Sequence, residues 1–262
     1  MSPLLFLYFM WMTFLIQLSL TVNPKKGFGI CSTAYLCDDT YSLTGASWWY
    51  DWRYDQGEAK WNNCSKPPRG GYVPMIFGEL SAYSAVIPPE AEYVLGFNEP
   101  NAQNQGNLTP QEAAALWPLV EKKAAGRLLL SPALWGCDTR VDMCIKWYEE
   151  FFAACPNCRV DRMAVHGYHC VPHEMIQSLG KISSHFNRQI WLTEFSCSHN
   201  ATVDDLINFM TELIPLLDKA SFVERYSWFC SRVQEPTTFS YTDLLERNSS
   251  RLTRLGEFYN SI

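Results

Sequence analysis

The sequence predicts a single α/β domain folded as a (β/α)8 TIM barrel. Short apolar segments recur along the 262-residue chain, helix-like stretches separate several of them, and no linker or low-complexity tract divides residues 24–262. This barrel typically needs about 250 residues. Several segments are apolar on consecutive residues, which is typical of parallel strands buried on both faces.

Eight predicted strands each begin with an apolar run and lead into polar or loop residues. They are Gly27–Cys31, Ala46–Trp49, Tyr72–Phe77, Tyr93–Phe97, Leu128–Ser131, Arg162–Val165, Ile190–Phe195 and Val223–Phe229. Their spacing gives roughly 30 residues for each βα unit, as a TIM barrel requires. An open doubly wound sheet is the alternative. No Gly-x-Gly-x-x-Gly motif follows any of these strands, so nucleotide binding has no support.

Helical signals are clearest in the second half of the chain. Thr109-Pro110-Gln111-Glu112 is a capping box with proline at the first helical position, and it predicts a helix through Ala113–Ala125 that stops at Gly126. The apolar spacing predicts further helices over 140–154, 172–186 and 203–220. We expect residues 31–45 and 51–71 to be loops.

The N-terminal residues 1–23 predict a targeting segment. No charged residue occurs between Pro3 and Val22, and Leu, Phe, Met, Trp and Ile dominate the segment. Such a stretch indicates a secretory signal peptide. Its length approaches the roughly 20 residues that span a bilayer, so an uncleaved signal anchor is the alternative. Membrane attachment is expected only in that second case.

Cysteine and asparagine patterns also favour the secretory pathway. The chain has ten cysteines, and Asn-x-Ser/Thr sequons begin at Asn63, Asn107, Asn200 and Asn248. Two pairs are close enough in sequence to bond locally, Cys31 with Cys37 and Cys137 with Cys144, although the sequence does not decide the connectivity. Three further cysteines follow strands 6, 7 and 8, where a bridge at the rim of the barrel is expected: Cys170, Cys197 and Cys230.

Two alternative chemistries for cysteine and histidine receive little support. Cys155-Pro156-Asn157-Cys158 resembles a redox Cys-x-x-Cys, but it ends a helix rather than opening one, which favours structural cysteines. His166, His169, Cys170 and His173 match no standard zinc spacing. We therefore predict no metal site and no cofactor.

The charge balance and the aromatic content constrain the binding partner. The formal net charge of −6 argues against nucleic acid, which requires lysine and arginine patches. Ten Trp, 13 Tyr and 15 Phe fit either a well-packed core or a cleft that stacks aromatic rings on sugars. Composition alone does not separate these two interpretations.

Two glutamates lie at the carboxyl ends of predicted strands 4 and 7. Glu99 comes after Tyr93–Phe97, and Glu194 lies within the run Ile190–Phe195. Catalytic side chains of TIM barrels project from the carboxyl ends of the strands, and these two strands face each other across the barrel mouth. Retaining glycoside cleavage needs two carboxyl groups about 5–5.5 Å apart. A structural glutamate bound to an arginine or a backbone amide is the alternative for each residue alone.

Sequence blocks in order along the chain resemble clan A of the glycoside hydrolases and, more closely, family 128, the Asl1-like catalytic cores that act on β-1,3-glucan. The blocks are Lys26-Gly27, SWWYDW at 47–52, YVPMIFG at 72–78, LGFNEPN at 95–101, LLSPAL at 129–134, DRMAVHGYH at 161–169, IWLTEFS at 190–196 and RYSWF at 225–229. LGFNEPN together with WLTEFS is a specific signature. The other blocks are weak individually.

The resemblance implies a role for each residue that matches the family pattern. Glu99 is expected to be the acid/base and Glu194 the nucleophile, while Asn98 binds the sugar 2-hydroxyl. His166 and Tyr168 would line the cleft and orient the nucleophile, unless they are hydrogen-bonded core groups. Aromatic candidates for sugar contact are Trp228, as the floor of the cleft, and Trp49, Tyr50 and Trp52, for which barrel packing is the alternative.

These expectations describe a secreted, monomeric, retaining endo-β-1,3-glucanase of the extracellular space or cell wall. Its partner would be a β-glucan polysaccharide or oligosaccharide. Two other hypotheses stay open at this point. The chain could be a β-glucan-binding surface protein that keeps the barrel without turnover, or an enzyme with the same chemistry on another β-glycan such as mannan or cellulose.

Overall fold

The computed structural model describes residues 22–31, 35–56, 63–197, 201–233 and 240–262. Most of the predicted targeting segment and the sequon residue Asn200 lie outside these ranges. Asn23, the last residue assigned to that segment, is the first residue of strand β1. Within the described residues, no helix is both long enough and apolar enough to cross a membrane.

Eight parallel strands form the centre of the molecule. They are β1 (Asn23–Gly29), β2 (Ala46–Tyr50), β3 (Gly71–Tyr72), β4 (Tyr93–Val94), β5 (Leu128–Leu129), β6 (Met163–Gly167), β7 (Ile190–Phe195) and β8 (Val223–Trp228). One sheet has the order β3-β2-β1-β8-β7-β6, and β4 pairs with β5 in a second sheet. The first and last strands are therefore neighbours.

Single bridges join the two sheets into a closed barrel. Met75 pairs with Leu95 between the ends of β3 and β4, and Leu130 pairs with Arg162 between β5 and β6. The strand order thus runs from β1 round to β8 and back to β1. This arrangement confirms the predicted TIM-barrel fold, and each of the eight strands overlaps its predicted segment.

Three strands are shorter than the sequence predicts. Strands β3, β4 and β5 have two residues each, although the chain continues in register through the bridges. Pro74 lies in the predicted third strand and has no N–H to donate to a ladder, so the regular pairing ends before it. Its carbonyl still accepts from the Leu95 N–H at 2.9 Å.

Seven α-helices occur in the described part of the chain. They are α1 (Asp39–Ser42), α2 (Glu79–Ser84), α3 (Pro110–Ala124), α4 (Val141–Ala154), α5 (Pro172–Phe186), α6 (Val203–Lys219) and α7 (Arg254–Ser261), with a 3-10 turn at Ser240–Thr242. The four predicted helices correspond to α3–α6. The short α1 lies in a predicted loop, and α2 and α7 were not predicted.

The capping box predicted for α3 forms as expected. The Thr109 hydroxyl accepts from the Glu112 N–H at 3.2 Å, and the Glu112 carboxylate accepts from the Thr109 N–H at 2.8 Å. The helix ends at Ala124 and is capped by Ala125, whose backbone is left-handed, followed by Gly126 with φ of 84°. Each end of the helix is thereby satisfied by the residues that predicted it.

The apolar core has two layers, because side chains alternate along each strand. Trp48 and Trp191 point into the barrel interior, with ring centroids 5.0 Å apart. Their neighbours Trp49 and Leu192 point outward, into the layer between the barrel and its helices. This alternation decides which aromatic residues can reach the mouth of the barrel.

Four disulfides form among the ten cysteines, all of which lie in the described residues. They are Cys37–Cys64, Cys137–Cys144, Cys155–Cys158 and Cys170–Cys197. The predicted Cys137–Cys144 bridge and a bridge at the barrel rim are confirmed. The predicted pairing of Cys31 with Cys37 is wrong, because Cys31 follows β1 at the barrel mouth and faces Cys230, while Cys37 is bonded to Cys64.

Candidate active site

A cleft of about 660 Å³ opens at the carboxyl end of the barrel. Glu99 and Glu194 both line it, as do aromatic residues from several loops. The complete lining is Cys31, Trp52, Phe77, Asn98, Glu99, Gln105, Trp135, Gly136, Asp138, Thr139, Tyr168, His169, Glu194 and Phe229. Its volume lies within the range of small-molecule and oligosaccharide sites.

Glu99 follows β4 on a strained stretch of backbone. Its φ of +40° lies in the left-handed region, which is costly for a residue with a side chain. The neighbouring bridge between Asn98 and Ala133 and the hydrogen bond from the Glu99 N–H to the Ala133 carbonyl, at 2.8 Å, hold this conformation. The result is a carboxylate turned into the cleft and only 8% exposed.

Glu194 lies on β7 among several hydrogen-bond donors. The Trp52 indole N–H donates to Oε1 at 2.7 Å, and the Tyr168 hydroxyl donates to Oε2 at 2.5 Å. The Tyr50 hydroxyl lies 3.4 Å from Oε1 and donates at 2.9 Å to the carbonyl of Thr193. Donors on both oxygens favour the ionised form of a carboxylate.

His166 on β6 is fully buried and contacts both glutamates. Its Nδ1 lies 2.7 Å from Oε1 of Glu99 and 3.4 Å from Oε2 of Glu194. Complete burial lowers the pKa of His166, but the carboxylates of Glu194 and Glu99 outweigh burial and raise the pKa above its usual value. Nδ1 is therefore suited to donate a proton toward Glu99.

Opposing influences act on Glu194. Burial raises the pKa of Glu194, His166 lowers it, Glu99 raises it, and the donors Tyr168 and Trp52 lower it, with a net increase. Two carboxyl groups and one imidazole therefore lie in contact within one buried cluster. Such a cluster can hold one carboxyl group protonated while the other is ionised.

The separation of the two carboxylates suits cleavage with a covalent intermediate. A ligand atom of Glu99, one of Glu194 and one of His166 all lie within 4.8 Å of one another. Carboxyl groups about 5–5.5 Å apart are typical of retaining glycosidases, whereas inverting ones need about 6.5–9.5 Å to admit a water. The three side chains could also hold a divalent cation, although the 2.7 Å contact between His166 and Glu99 is that of a direct hydrogen bond.

The alternative zinc set weighed from the sequence does not assemble. Cys170 is bonded to Cys197 and so offers no thiolate, and His173 is exposed on α5. His169 lies 3.3 Å from the carboxylate of Glu174.

Most residues named from the sequence lie at or beside the cleft. Asn98, Tyr168 and Trp52 line it. Tyr50 and His166 are fully buried beneath it and contact the glutamates, so Tyr50 does not make the predicted sugar contact and His166 does not line the cleft. The amide oxygen of Asn98 is buried without a hydrogen-bond partner among the described residues, and its nitrogen donates to Gln105 at 3.3 Å. A buried amide with spare capacity beside Glu99 is suited to a sugar hydroxyl.

Two further predicted sugar contacts are wrong. Trp228 is fully buried in the outer layer, where its indole N–H donates to the Thr242 carbonyl at 2.8 Å and its ring packs on Phe195. Trp49 points outward in the same way and packs on Tyr72, with ring centroids 4.8 Å apart. The cause is strand alternation, which directs the next residue, Phe229, into the cleft instead of Trp228.

Some lining residues were missed. Trp135 is 41% exposed at the rim, and Asn101 holds its backbone through two hydrogen bonds of 3.0 Å. Asp138 accepts from the N–H groups of Tyr168 and His169, each at 2.6 Å. Asp138 lies between Cys137 and Cys144, and the bridge between these cysteines was the sequence signal for an ordered loop at this position.

The remaining predicted modification sites are surface positions. Asn63, Asn107 and Asn248 are exposed. Glycan attachment at these three residues stays a prediction.

Comparisons with known proteins agree with this geometry. A family model described as glycosyl hydrolase catalytic core matches residues 28–259. The alkali-sensitive linkage protein 1 of Schizosaccharomyces pombe is 30% identical over 254 residues, which are 92% of this chain and 45% of that protein. The chain thus spans less than half the length of this relative.

Two solved structures are similar along nearly their whole length. An endo-beta-1,3-glucanase of GH128 subgroup II from Sorangium cellulosum is 30% identical, with 90% of this chain and 98% of that chain covered and a TM-score of 0.74. A subgroup I endo-beta-1,3-glucanase from Amycolatopsis mediterranei, in complex with laminaritriose, is 26% identical over 91% and 99% of the chains, with a TM-score of 0.72. The chain therefore belongs to the glycosyl hydrolase catalytic core family, which confirms the resemblance to glycoside hydrolase family 128.

Proposed function

We propose that the protein is a retaining endo-β-1,3-glucanase in which Glu194 is the nucleophile and Glu99 the acid/base. The observation that carries the proposal is the pair of buried carboxylates from β4 and β7, with oxygens within 4.8 Å across the cleft. The substrate and the endo mode are inferred from the two similar endo-beta-1,3-glucanases, one of them bound to laminaritriose.

The hydrogen bonds support this division of roles. Glu194 receives donors on both oxygens from Trp52 and Tyr168, which stabilise an ionised nucleophile. Among the described residues, Glu99 has a single such neighbour, His166 at 2.7 Å on Oε1, so fewer donors favour its ionised form than that of Glu194. The raised pKa of Glu194 alone would favour the reverse assignment, and the donors on both of its oxygens argue against it.

The reaction follows from these positions. Glu194 attacks the anomeric carbon while Glu99 gives its proton to the glycosidic oxygen, which leaves a glycosyl ester on Glu194. Glu99 then takes a proton from water, the water oxygen attacks the anomeric carbon, and Glu194 departs as a carboxylate. Two displacements restore the β configuration. Asn98 would bind the 2-hydroxyl, and Trp52, Phe229 and Trp135 would contact the sugar faces.

The proposal also covers the cellular compartment, the oligomeric state and the cofactor requirement. Four disulfides indicate that the protein folds in an oxidising compartment. We infer secretion to the extracellular space or cell wall, as a monomer that requires no metal or organic cofactor.

The test is hydrolysis of laminarin by the full chain secreted from a eukaryotic host. Wild type is expected to release reducing ends, with the β anomer formed first in an NMR time course, while E194Q releases none. E257Q, on the exposed face of α7, is the matched control and should equal wild type.

Three outcomes would contradict the proposal. Binding of laminarin by wild type with no reducing ends would favour the non-hydrolytic glucan-binding alternative. Hydrolysis of mannan or cellulose in place of laminarin would favour another β-glycan. Release of only single glucose units would exclude the endo mode.

A further inference from the structure

Two cysteines remain outside the four disulfides, and they face each other. Cys31 follows β1, Cys230 follows β8, and their sulfur atoms lie 2.9 Å apart. The strands are already paired beside them, through Phe28 with Trp228 and through the Ser231 N–H, which donates to the Gly29 carbonyl at 2.8 Å. An S–S bond is about 2.05 Å long, so a movement of less than about 1 Å would form one.

The residue next to Cys230 lies between the two donors of Glu194. The Phe229 ring meets Trp52 edge to face with centroids 5.7 Å apart, and it meets Tyr168 in the same geometry at 5.7 Å. These are the side chains that donate to the two oxygens of Glu194. The position of Phe229 therefore affects both donors.

The two sulfur atoms differ in exposure. Cys31 is half-buried and lines the cleft, so a reagent in the cleft can reach it. Cys230 is fully buried, and burial raises the pKa of its thiol. Exchange with an external disulfide therefore begins at Cys31.

We propose that Cys31 and Cys230 form a fifth disulfide, which fixes Phe229 between Trp52 and Tyr168 and thereby positions Glu194. Its positioning role rests on the proposed function, whereas the existence of the bond does not. The Cys31 thiolate attacks an external disulfide, a small-molecule or protein one, and expels a thiolate. Cys230 then loses its proton, attacks the Cys31 sulfur and expels the second thiol. The protein dithiol is oxidised, and one external disulfide is reduced to two thiols.

The bond is tested by counting thiols. The secreted full chain is unfolded by denaturant without reductant, and its free thiols are alkylated with N-ethylmaleimide. Mass spectrometry then gives the mass of the chain and identifies its peptides. No adduct is expected, together with a linked peptide pair that contains Cys31 and Cys230. Two adducts on these residues, or a different linkage, would overturn the proposal. This outcome is independent of any hydrolase activity.

The positioning role is tested with the double variant C31S/C230S, which removes the bond but leaves Phe229. We expect kcat on laminarin to fall about tenfold with little change in KM, since small misplacements at a reacting centre can cost up to about 10²-fold. The matched control is C155S/C158S, which removes a bridge at the amino-terminal side of β6 and should keep the wild-type kcat.

A second measurement keeps the test decisive if the double variant is not secreted. Wild type is treated with increasing tris(carboxyethyl)phosphine, and labelling of Cys31 is followed together with kcat. Loss of kcat in step with Cys31 labelling, before the other bridges open, is expected. An unchanged kcat in fully labelled protein, or in the double variant, would overturn the positioning role.

Discussion

The indole nitrogen of Trp52 lies 2.7 Å from Oε1 of Glu194, although the two residues are 142 positions apart in the chain. Trp52 follows β2 with a left-handed φ of 59°, and its ring covers the backbone of Gly29, where an added Cβ would lie 2.6 Å from the ring. A loop residue from the first quarter of the barrel thus supplies a donor to the proposed nucleophile.

Replacement of Trp52 by Phe should lower kcat on laminarin by about 10- to 100-fold. The variant keeps an aromatic ring against Phe229 but loses the N–H, and a hydrogen bond to a charged group contributes roughly 1.5–3 kcal/mol. Steady-state kinetics measure the effect, and W147F, at a half-buried position on α4 outside the cleft lining, is the control. A kcat within twofold of wild type would show that the indole N–H is not needed.

Azide rescue should separate the roles of the two glutamates. In E194A, azide can occupy the space of the missing carboxylate and displace the aryl group of an activated aryl β-laminaribioside. This single displacement inverts the anomeric carbon and gives the α-glycosyl azide. In E99A, azide should attack the covalent intermediate and give the β-glycosyl azide. NMR of the products distinguishes the anomers, and the opposite pairing of variants and products would exchange the two assignments.

The same variants should differ in their dependence on the leaving group. The kcat of E99A on laminarin, whose leaving oxygen needs a proton, is expected to fall about 10²–10⁴-fold. On an aryl glycoside, whose aryl group leaves without a proton, kcat should fall much less. E194A should lose roughly 10⁴-fold or more on both substrates, as when a covalent nucleophile is removed. Rates on the two substrates provide the measurement.

Stability should fall as the pH rises from about 4 to above 6. Burial raises the pKa of Asp51 to about 6, so the folded state holds this proton more tightly than the unfolded chain, whose aspartates titrate near 3.9. The contribution is fully present below the unfolded pKa and is lost as the pH rises through the folded one. D51N imitates the protonated side chain and still accepts from the Tyr72 hydroxyl.

Thermal unfolding at pH 4 and pH 8 tests the role of Asp51. D51N and wild type should have similar Tm at pH 4, and D51N should have the higher Tm at pH 8. Asp243, whose pKa burial also raises to about 6, should still destabilise both proteins as the pH rises. Equal pH dependence of the variant and wild type would contradict the prediction.

Loss of the Asp138 carboxylate should affect both stability and turnover. D138A leaves the N–H groups of Tyr168 and His169 without their acceptor, at a cost of about 1–3 kcal/mol each, and frees the loop that carries the Tyr168 hydroxyl. We expect a lower Tm and a kcat reduced about tenfold, with partial rescue in D138N. The exposed Asp142 of the same region supplies the control, D142A.

The sequence predicted the barrel and the carboxylate pair because both depend on local signals. Apolar runs fixed the order of the strands, and the blocks around Glu99 and Glu194 gave their places at the strand ends. The directions of Trp49 and Trp228 depend on which face of each strand meets the core, and runs that are apolar on both faces contain no such signal.

Contacts between distant loops were outside the reach of sequence reasoning. Asp138 and Trp135 lie on a loop after β5, and their partners Tyr168 and Asn101 come from other βα loops. The pairing of Cys31 with Cys230 depends on barrel closure in the same way. Sequence proximity suggested Cys37 as the partner of Cys31, whereas closure places the residues after β1 and β8 side by side.

The adjacency of β1 and β8 also sets an order of events during synthesis. Tyr50 and Trp52 emerge from the ribosome well before Glu194, and β8, which ends at Trp228, is the last of the eight strands to emerge. The nascent chain therefore has no assembled cleft until nearly all of it has been translated. The cleft and the hydrogen bonds to Glu194 are therefore completed only when the last strand of the barrel pairs with the first.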